Sequence, residues 1–184
     1  MKKLKAASLI ILVFLAFLLS FYAIYGGFKK VECRVTYTGG ELFVYEEIRD
    51  DYQRISYIVD SLYECLLQNK NIENIVSCMV YYPDSMYTNK NAVGAEVGCI
   101  VDVSDSLTLY ELQKTYKIKT LPLSNYVVAA FPYKGKTSLT LASMKLYPAI
   151  DTFLKDSDLQ VKNTLTEVYD IKNKKIIFRK EILK

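Results

Sequence analysis

The sequence predicts an α+β fold: a duplicated β-α-β-β domain, with an antiparallel sheet and both helices on one of its faces, preceded by an N-terminal transmembrane helix. Three observations lead there. An uncharged apolar stretch opens the chain. Strand-like runs and amphipathic helical runs then follow in the order β-α-β-β, and the same order returns in the second half.

Residues 1–5 form a short tail carrying Lys2, Lys3 and Lys5, and Ala6–Phe28 contains no charge. Its 23 residues exceed the roughly 20 needed to cross a bilayer as a helix. Tyr22 and Tyr25 lie near its end, where aromatic rings favour the interface, and Gly26-Gly27 marks the exit. A cleaved signal peptide is the competing reading, because the lysines make an n-region. The apolar run is longer than an h-region, however, and no small-x-small site follows it. Lysines on both sides of the span leave its orientation open.

The domain is expected over 29–184. Its first repeat covers about 31–103, its second about 125–182, and a connector of a short helix and an extended arm fills 104–124. In the first repeat "VECRVTY" reads as a strand ending at Gly39-Gly40. Ile48, Tyr52, Ile55, Val59, Leu62 and Leu66 recur at three- or four-residue spacing, which predicts a helix of about five turns. On that reading Glu46-Glu47 and Asp50-Asp51 occupy its first turns and offset the macrodipole. "IVSCMVYY" and "AEVGCIVDV" then complete the unit as strands. In the second repeat "NYVVAAFPY" is a strand, and Thr137 or Ser138 can cap a helix carrying Leu139, Ala142, Leu146, Ile150 and Phe153. Pro148 should kink or locally break that helix, and "LTEVYD" and "KIIFRKEI" are the closing strands. The endings Tyr37-Thr38-Gly39 and Tyr133-Lys134-Gly135 suggest that the strands before them are equivalent.

Composition excludes several functions. Residues 29–184 hold every acidic side chain and every basic one except the three N-terminal lysines, a net charge of about +1, so no electrostatic footprint for nucleic acid exists. The basic cluster at Lys172, Lys174, Lys175, Arg179 and Lys180 reads as solvated strand-edge charge. Histidine is absent, which removes the usual base for Ser or Cys nucleophiles and the commonest zinc ligand. Cys33, Cys65, Cys78 and Cys99 lack CxxC spacing and read as buried thiols, with a Cys78–Cys99 bridge open in an oxidising compartment. No metal, cofactor or enzymatic activity is expected.

The 16 tyrosines are the chemical signal. Where related strands meet, a pseudo-twofold groove is expected, and a carboxylate among aromatic rings there can hold a cationic or planar apolar ligand. Alternation puts Glu167 and Tyr169 on one side of their strand, and Phe131 and Tyr133 on one side of theirs. The candidate ligand-binding residues are therefore Tyr37, Tyr82, Phe131, Tyr133, Glu167 and Tyr169. The bland alternative is that the tyrosines are core and rim residues and Glu167 is exposed. A Glu167-plus-tyrosine hydrolase is a further alternative.

With "TYTG" and "YYPDS" around the first helix, and "FPYKG" and "EVYD" around the second, Val31–Ile182 resembles the GyrI-like (gyrase-inhibitor-like) small-molecule-binding domain. Together with the N-terminal span, "AEVGCIVDV", "LYELQKTYKIKTLP", "NYVVAAFPYKGKTSLTLASMKLYPAIDTFL" and "LTEVYDIKNKKIIF" resemble the testis-expressed single-pass endoplasmic-reticulum proteins that act as receptors for selective autophagy of that organelle. That resemblance implies a cytosolic domain on the endoplasmic reticulum, a protein partner from the autophagy machinery and no enzymatic activity. The family's modifier-binding C-terminal tail has no counterpart here. Tyr45–Ile48, "YEEI", matches the aromatic-x-x-aliphatic form that such tails carry. The alternative function is a membrane-tethered GyrI-like protein that binds a small amphipathic ligand, a lipophilic cation or a xenobiotic.

Overall fold

The computed structural model describes residues 2–49, 51–68, 71–82 and 94–183, with side chains from Leu9 onward and Glu73 described by its backbone alone. Helix α1 spans Lys2–Ile24 and gives way to a turn at Gly26, whose φ of 86° suits a residue without Cβ. Strands β1 (Cys33–Thr38) and β2 (Leu42–Ile48) follow, then a 3-10 turn at Tyr52–Arg54 that leads into α2 (Ile55–Leu67). Strands β3 (Ile72–Tyr81) and β4 (Ala95–Val103), helix α3 (Ser106–Thr115) and strands β5 (Lys117–Thr120) and β6 (Ser124–Pro132) come next. Helix α4 (Lys136–Ser157) and strands β7 (Leu165–Asp170) and β8 (Lys175–Glu181) complete the domain.

Among the described residues the eight strands make one antiparallel sheet in the order β1-β6-β8-β7-β3-β4-β2-β5. The order is symmetric about the β3–β7 junction. On each side an inner hairpin (β3-β4, β7-β8) is flanked by the strand that precedes the unit's helix (β2, β6). Each edge strand is contributed by the other half of the chain: β1 pairs with β6, and β5 with β2. This exchange corrects the sequence reading. The partner of β6 in the duplication is β2, so "TYTGG" and "FPYKG" are not equivalent endings.

The first helix is shorter than its periodicity suggests. Leu42–Ile48 pairs along its whole length with β4, and its first four residues also pair with β5. Ile48 fits a helical stripe and a strand face equally well, and this long-range pairing selects the strand. Glu46 and Glu47 are therefore strand residues, not helix-dipole partners. Helix α2 still buries Ile58, Val59, Leu62 and Leu66 over Val44, Val97, Cys99 and Val101. Helix α4 buries Ala142, Leu146 and Ile150, one per turn, over Val127, Ala129, Ile176 and Phe178. It continues past the exposed Pro148, contrary to the expected break. Its N-cap is Gly135, and Ser138 Oγ donates back to the Gly135 carbonyl at 2.6 Å while accepting from Lys134 N–H at 2.8 Å.

The opposite face of the sheet buries Phe43, Cys78, Val80, Ile100 and Val168 together with Leu121. Strand alternation thus puts Cys78 and Cys99 on opposite faces, which rules out a bridge, and all four cysteines are free thiols. Cys65 is exposed on α2 rather than buried. Burial pushes the Cys99 thiol up to about 12, which keeps it a neutral core group.

Among the described residues no helical segment is long and apolar enough to cross a membrane. Side chains are described from Leu9, and Leu9–Ile24 at helical rise covers about 24 Å of a hydrocarbon core of about 30 Å. Within that segment every large hydrophobic side chain is exposed, from Tyr22 at 37% to Ile10 at 69%.

Candidate functional site

The duplication sets up the site. Across the β3–β7 junction Met79 lies opposite Glu167, so the pseudo-twofold passes between them. The same operation relates Tyr81 to Tyr169. Each tyrosine lies two residues beyond its junction residue, on the same strand face, and donates to it: Tyr81 Oη to Met79 Sδ at 3.3 Å, and Tyr169 Oη to Glu167 Oε2. The two units therefore build the same tyrosine contact around different chemistry, a thioether in one and a carboxylate in the other.

Glu167 is 3% exposed. Its second oxygen, Oε1, accepts from Tyr147 Oη of α4 at 2.6 Å, and the Tyr147 ring rests edge-on against Phe178 at 5.1 Å. Burial raises the Glu167 carboxyl above its ordinary value, although both tyrosine hydroxyls favour the ionised form. The same burial and the carboxylate's charge drive the Tyr147 and Tyr169 phenols upward, so both stay protonated donors.

The distribution of counter-charges distinguishes Glu167. Glu96, on the opposite sheet face, is paired with Lys119. Glu41 is paired twice with the buried Arg179, at 2.7 and 3.0 Å. Among the described residues no lysine or arginine pairs with Glu167. A buried carboxyl held by neutral hydroxyls alone has no counter-charge of its own, so a cation nearby would favour its ionised form and be favoured by it.

Beside it, along α2, runs a groove with two lobes of about 420 and 520 Å³, of which the smaller lies between α2 and the start of α4. Asp60, Ser77, Tyr169 and Ile171 line both lobes, Met79, Tyr133 and Leu139 the smaller, and Tyr63 and Leu67 the larger. Glu167 does not line this space itself; Tyr169 does, with its hydroxyl on the carboxylate. Largely apolar walls, the rings of Tyr63, Tyr133 and Tyr169, the Asp60 carboxylate in the lining and Glu167 one side chain away suit a flat or bulky organic cation, with Lys136 and Lys172 as the basic residues that also line the space.

Three of the six candidate residues meet here: Tyr133, Glu167 and Tyr169. Phe131 is on the correct face but 2% exposed, as part of the core beneath α4. Tyr37 is 65% exposed on edge strand β1, away from the groove, because β1 is not the strand that precedes a unit's helix. Tyr82 is on the wrong face. Its hydroxyl donates to Glu96 and accepts from Lys119 Nζ at 3.0 Å, and that ammonium also lies 5.1 to 5.9 Å from the Phe43, Tyr45 and Tyr82 rings. The aromatic cage there is filled by the protein's own lysine.

Sequence reasoning missed Tyr81, Met79 and Tyr147. A strand-by-strand alignment of the repeats would have found the first two, since Val80-Tyr81 and Val168-Tyr169 recur. Nothing local signals Tyr147, which reaches Glu167 only once α4 lies on the sheet. The "YEEI" segment lies in β2 with Ile48 buried at 5%, so it is not an accessible peptide motif.

No protein-family model matches this chain, and no curated protein matches it. Solved structures do. EcmrR, seen by cryo-electron microscopy in a complex with DNA, is 16% identical at a TM-score of 0.55, with 97% of this chain and 68% of that one covered. SAV2435, seen bound to tetraphenylphosphonium, is 13% identical at a TM-score of 0.51, with 83% of this chain and 94% of that one covered. At these identities the likeness establishes the α+β fold, which this chain shares with both.

Proposed function

We propose that this is a GyrI-like binding domain that holds lipophilic organic cations in the groove along α2, with α1 anchoring it to a membrane. The observation that carries the reading is Glu167, a buried carboxylate with two tyrosine donors and no basic partner among the described residues. The cation would lie against the Tyr133 and Tyr169 rings, with Glu167 behind Tyr169 as counter-charge. Tyr147, 41% exposed, is the side chain able to swing from the carboxylate and admit a ligand closer. That SAV2435 has the same fold and was solved with tetraphenylphosphonium supports this ligand class.

The membrane part rests on α1. A helix apolar on every side has no amphipathic stripe with which to join the core, and lipid is the environment that suits it. The endoplasmic reticulum is the compartment implied by the resemblance to reticulum-autophagy receptors. The site chemistry favours ligand capture over partner capture, because the "YEEI" match is locked into the sheet.

The test is calorimetric titration of the full chain in detergent with tetraphenylphosphonium. Saturable one-site binding that also raises the melting temperature is expected, since a ligand that binds the native state stabilises it by mass action. No binding heat and no thermal shift at concentrations far above micromolar would overturn the reading.

A further inference from the structure

The geometry points to loading of this groove from the bilayer side: the β6–α4 turn that borders it is held against the C-terminal end of α1, so with α1 in lipid the ligand passes into it from the lipid interface. This rests on the cation-binding reading above and on α1 lying in lipid.

Four contacts tie the end of the anchor to this turn and the elements it joins. Gly26, just past α1, packs so closely on Phe131 and Pro132 that a Cβ there would lie 3.2 and 3.4 Å from their rings. Lys134 Nζ donates to the Ile24 carbonyl at 2.7 Å and thereby caps the last turn of α1. Lys145 Nζ, on α4, donates to the Lys29 carbonyl at 2.8 Å. Residues 132 and 134 flank Tyr133, and Tyr133 and Lys136 line the smaller lobe. The residues on either side of Tyr133 therefore contact the end of the anchor, which places this end of the groove next to it.

The surface around it suits a headgroup layer. Phe28 is 68% exposed immediately after the helix, followed by the exposed Lys29 and Lys30, while Lys134 and Lys136 are exposed at the turn. An apolar ring beside lysines, with Tyr133 behind them, matches the interfacial pattern of aromatic anchors and basic residues drawn to anionic phospholipid. A lipophilic cation is concentrated in that same layer. A groove end held there meets the ligand at its membrane concentration rather than its much lower aqueous one.

The test uses the full chain in phosphatidylcholine vesicles containing phosphatidylserine, with n-alkyltriphenylphosphonium ions from methyl to butyl as probes and stopped-flow quenching of tyrosine fluorescence as readout. Each added methylene multiplies partitioning into the bilayer by about fourfold. The association rate at fixed aqueous concentration should climb by about the same factor per methylene. A flexible 12-residue Gly-Ser segment inserted after Lys30, combined with Lys134→Ala and Lys145→Ala to remove the two side-chain contacts to the end of α1, would let the domain move roughly 20 Å off the surface. It should flatten that dependence and leave the dissociation constant in detergent unchanged. A wild-type rate that is flat across the series, or an insertion variant that keeps the full dependence, overturns bilayer loading while leaving cation binding intact. Absence of binding in detergent for wild type overturns the cation-binding reading instead. Failure of the chain to stay with the vesicles on flotation overturns the membrane premise.

Discussion

Replacing Glu167 with Gln removes one charge and keeps the side chain's shape, so stability and binding should move in opposite directions. A ligand cation on the outer side of the Tyr169 ring would lie roughly 6 Å from the carboxylate; at an effective dielectric of about 20 their attraction is about 3 kcal/mol, or somewhat over a hundredfold in affinity. Glutamine can still accept from one tyrosine and donate to the other, so the clasp with Tyr147 and Tyr169 survives. The folded protein then no longer carries a desolvated charge. The sign follows from linkage. Burial raises the folded Glu167 carboxyl above its unfolded value, so its favourable contribution is complete below the unfolded value and is lost as pH rises through the folded one. At neutral pH the carboxylate therefore costs stability, and Glu167→Gln should melt at or above the wild-type temperature. Calorimetric titration with tetraphenylphosphonium and thermal unfolding of both proteins give the two numbers. In wild type the affinity should also fall as pH drops through the raised carboxyl value, whereas the variant's residual affinity should stay flat. Affinity within threefold of wild type in a folded variant would refute the argument, because the counter-charge would then have no role.

Two further outcomes test the scaffold. Glu41→Gln should destabilise by about 2–4 kcal/mol in chemical denaturation, since it leaves the guanidinium of Arg179, which is 4% exposed, without its carboxylate. Burial works against the Glu41 charge, but the Arg179 hydrogen bonds and charge outweigh it and hold the carboxyl below its ordinary value. Wild type should accordingly lose this contribution as pH falls through that lowered value, and the variant should lose nothing there. Gly98→Ala should cost about 1–3 kcal/mol or prevent folding, because a Cβ at that position on β4 would lie 2.1 Å from the Val44 carbonyl oxygen of the paired strand. Urea titration monitored by circular dichroism measures it, and a wild-type midpoint would show that β2 and β4 are not paired as described.

What the sequence determined by itself is what depends on local periodicity and composition. The apolar N-terminal helix, the α4 stripe of Ala142, Leu146 and Ile150, and the strands β3, β4, β6, β7 and β8 all follow from spacing over a few residues. Glu167 and Tyr169 were legible as neighbours because a period of two puts i and i+2 on one face wherever the strand lies. The tertiary structure decided everything that depended on which strands meet. Leu42–Ile48 became β2 because β4 and β5 supply partners from far along the chain, and this displaced the equivalence drawn between Tyr37 and Tyr133. Tyr82 was one residue from Tyr81 in sequence and on the far side of the sheet in space, since a single step along a strand reverses the side chain. Tyr147 joined Glu167 only through the docking of α4. Whether a buried carboxylate is neutralised is likewise a property of packing: Glu41 and Glu96 found their cations on distant segments, and among the described residues Glu167 meets hydroxyls alone.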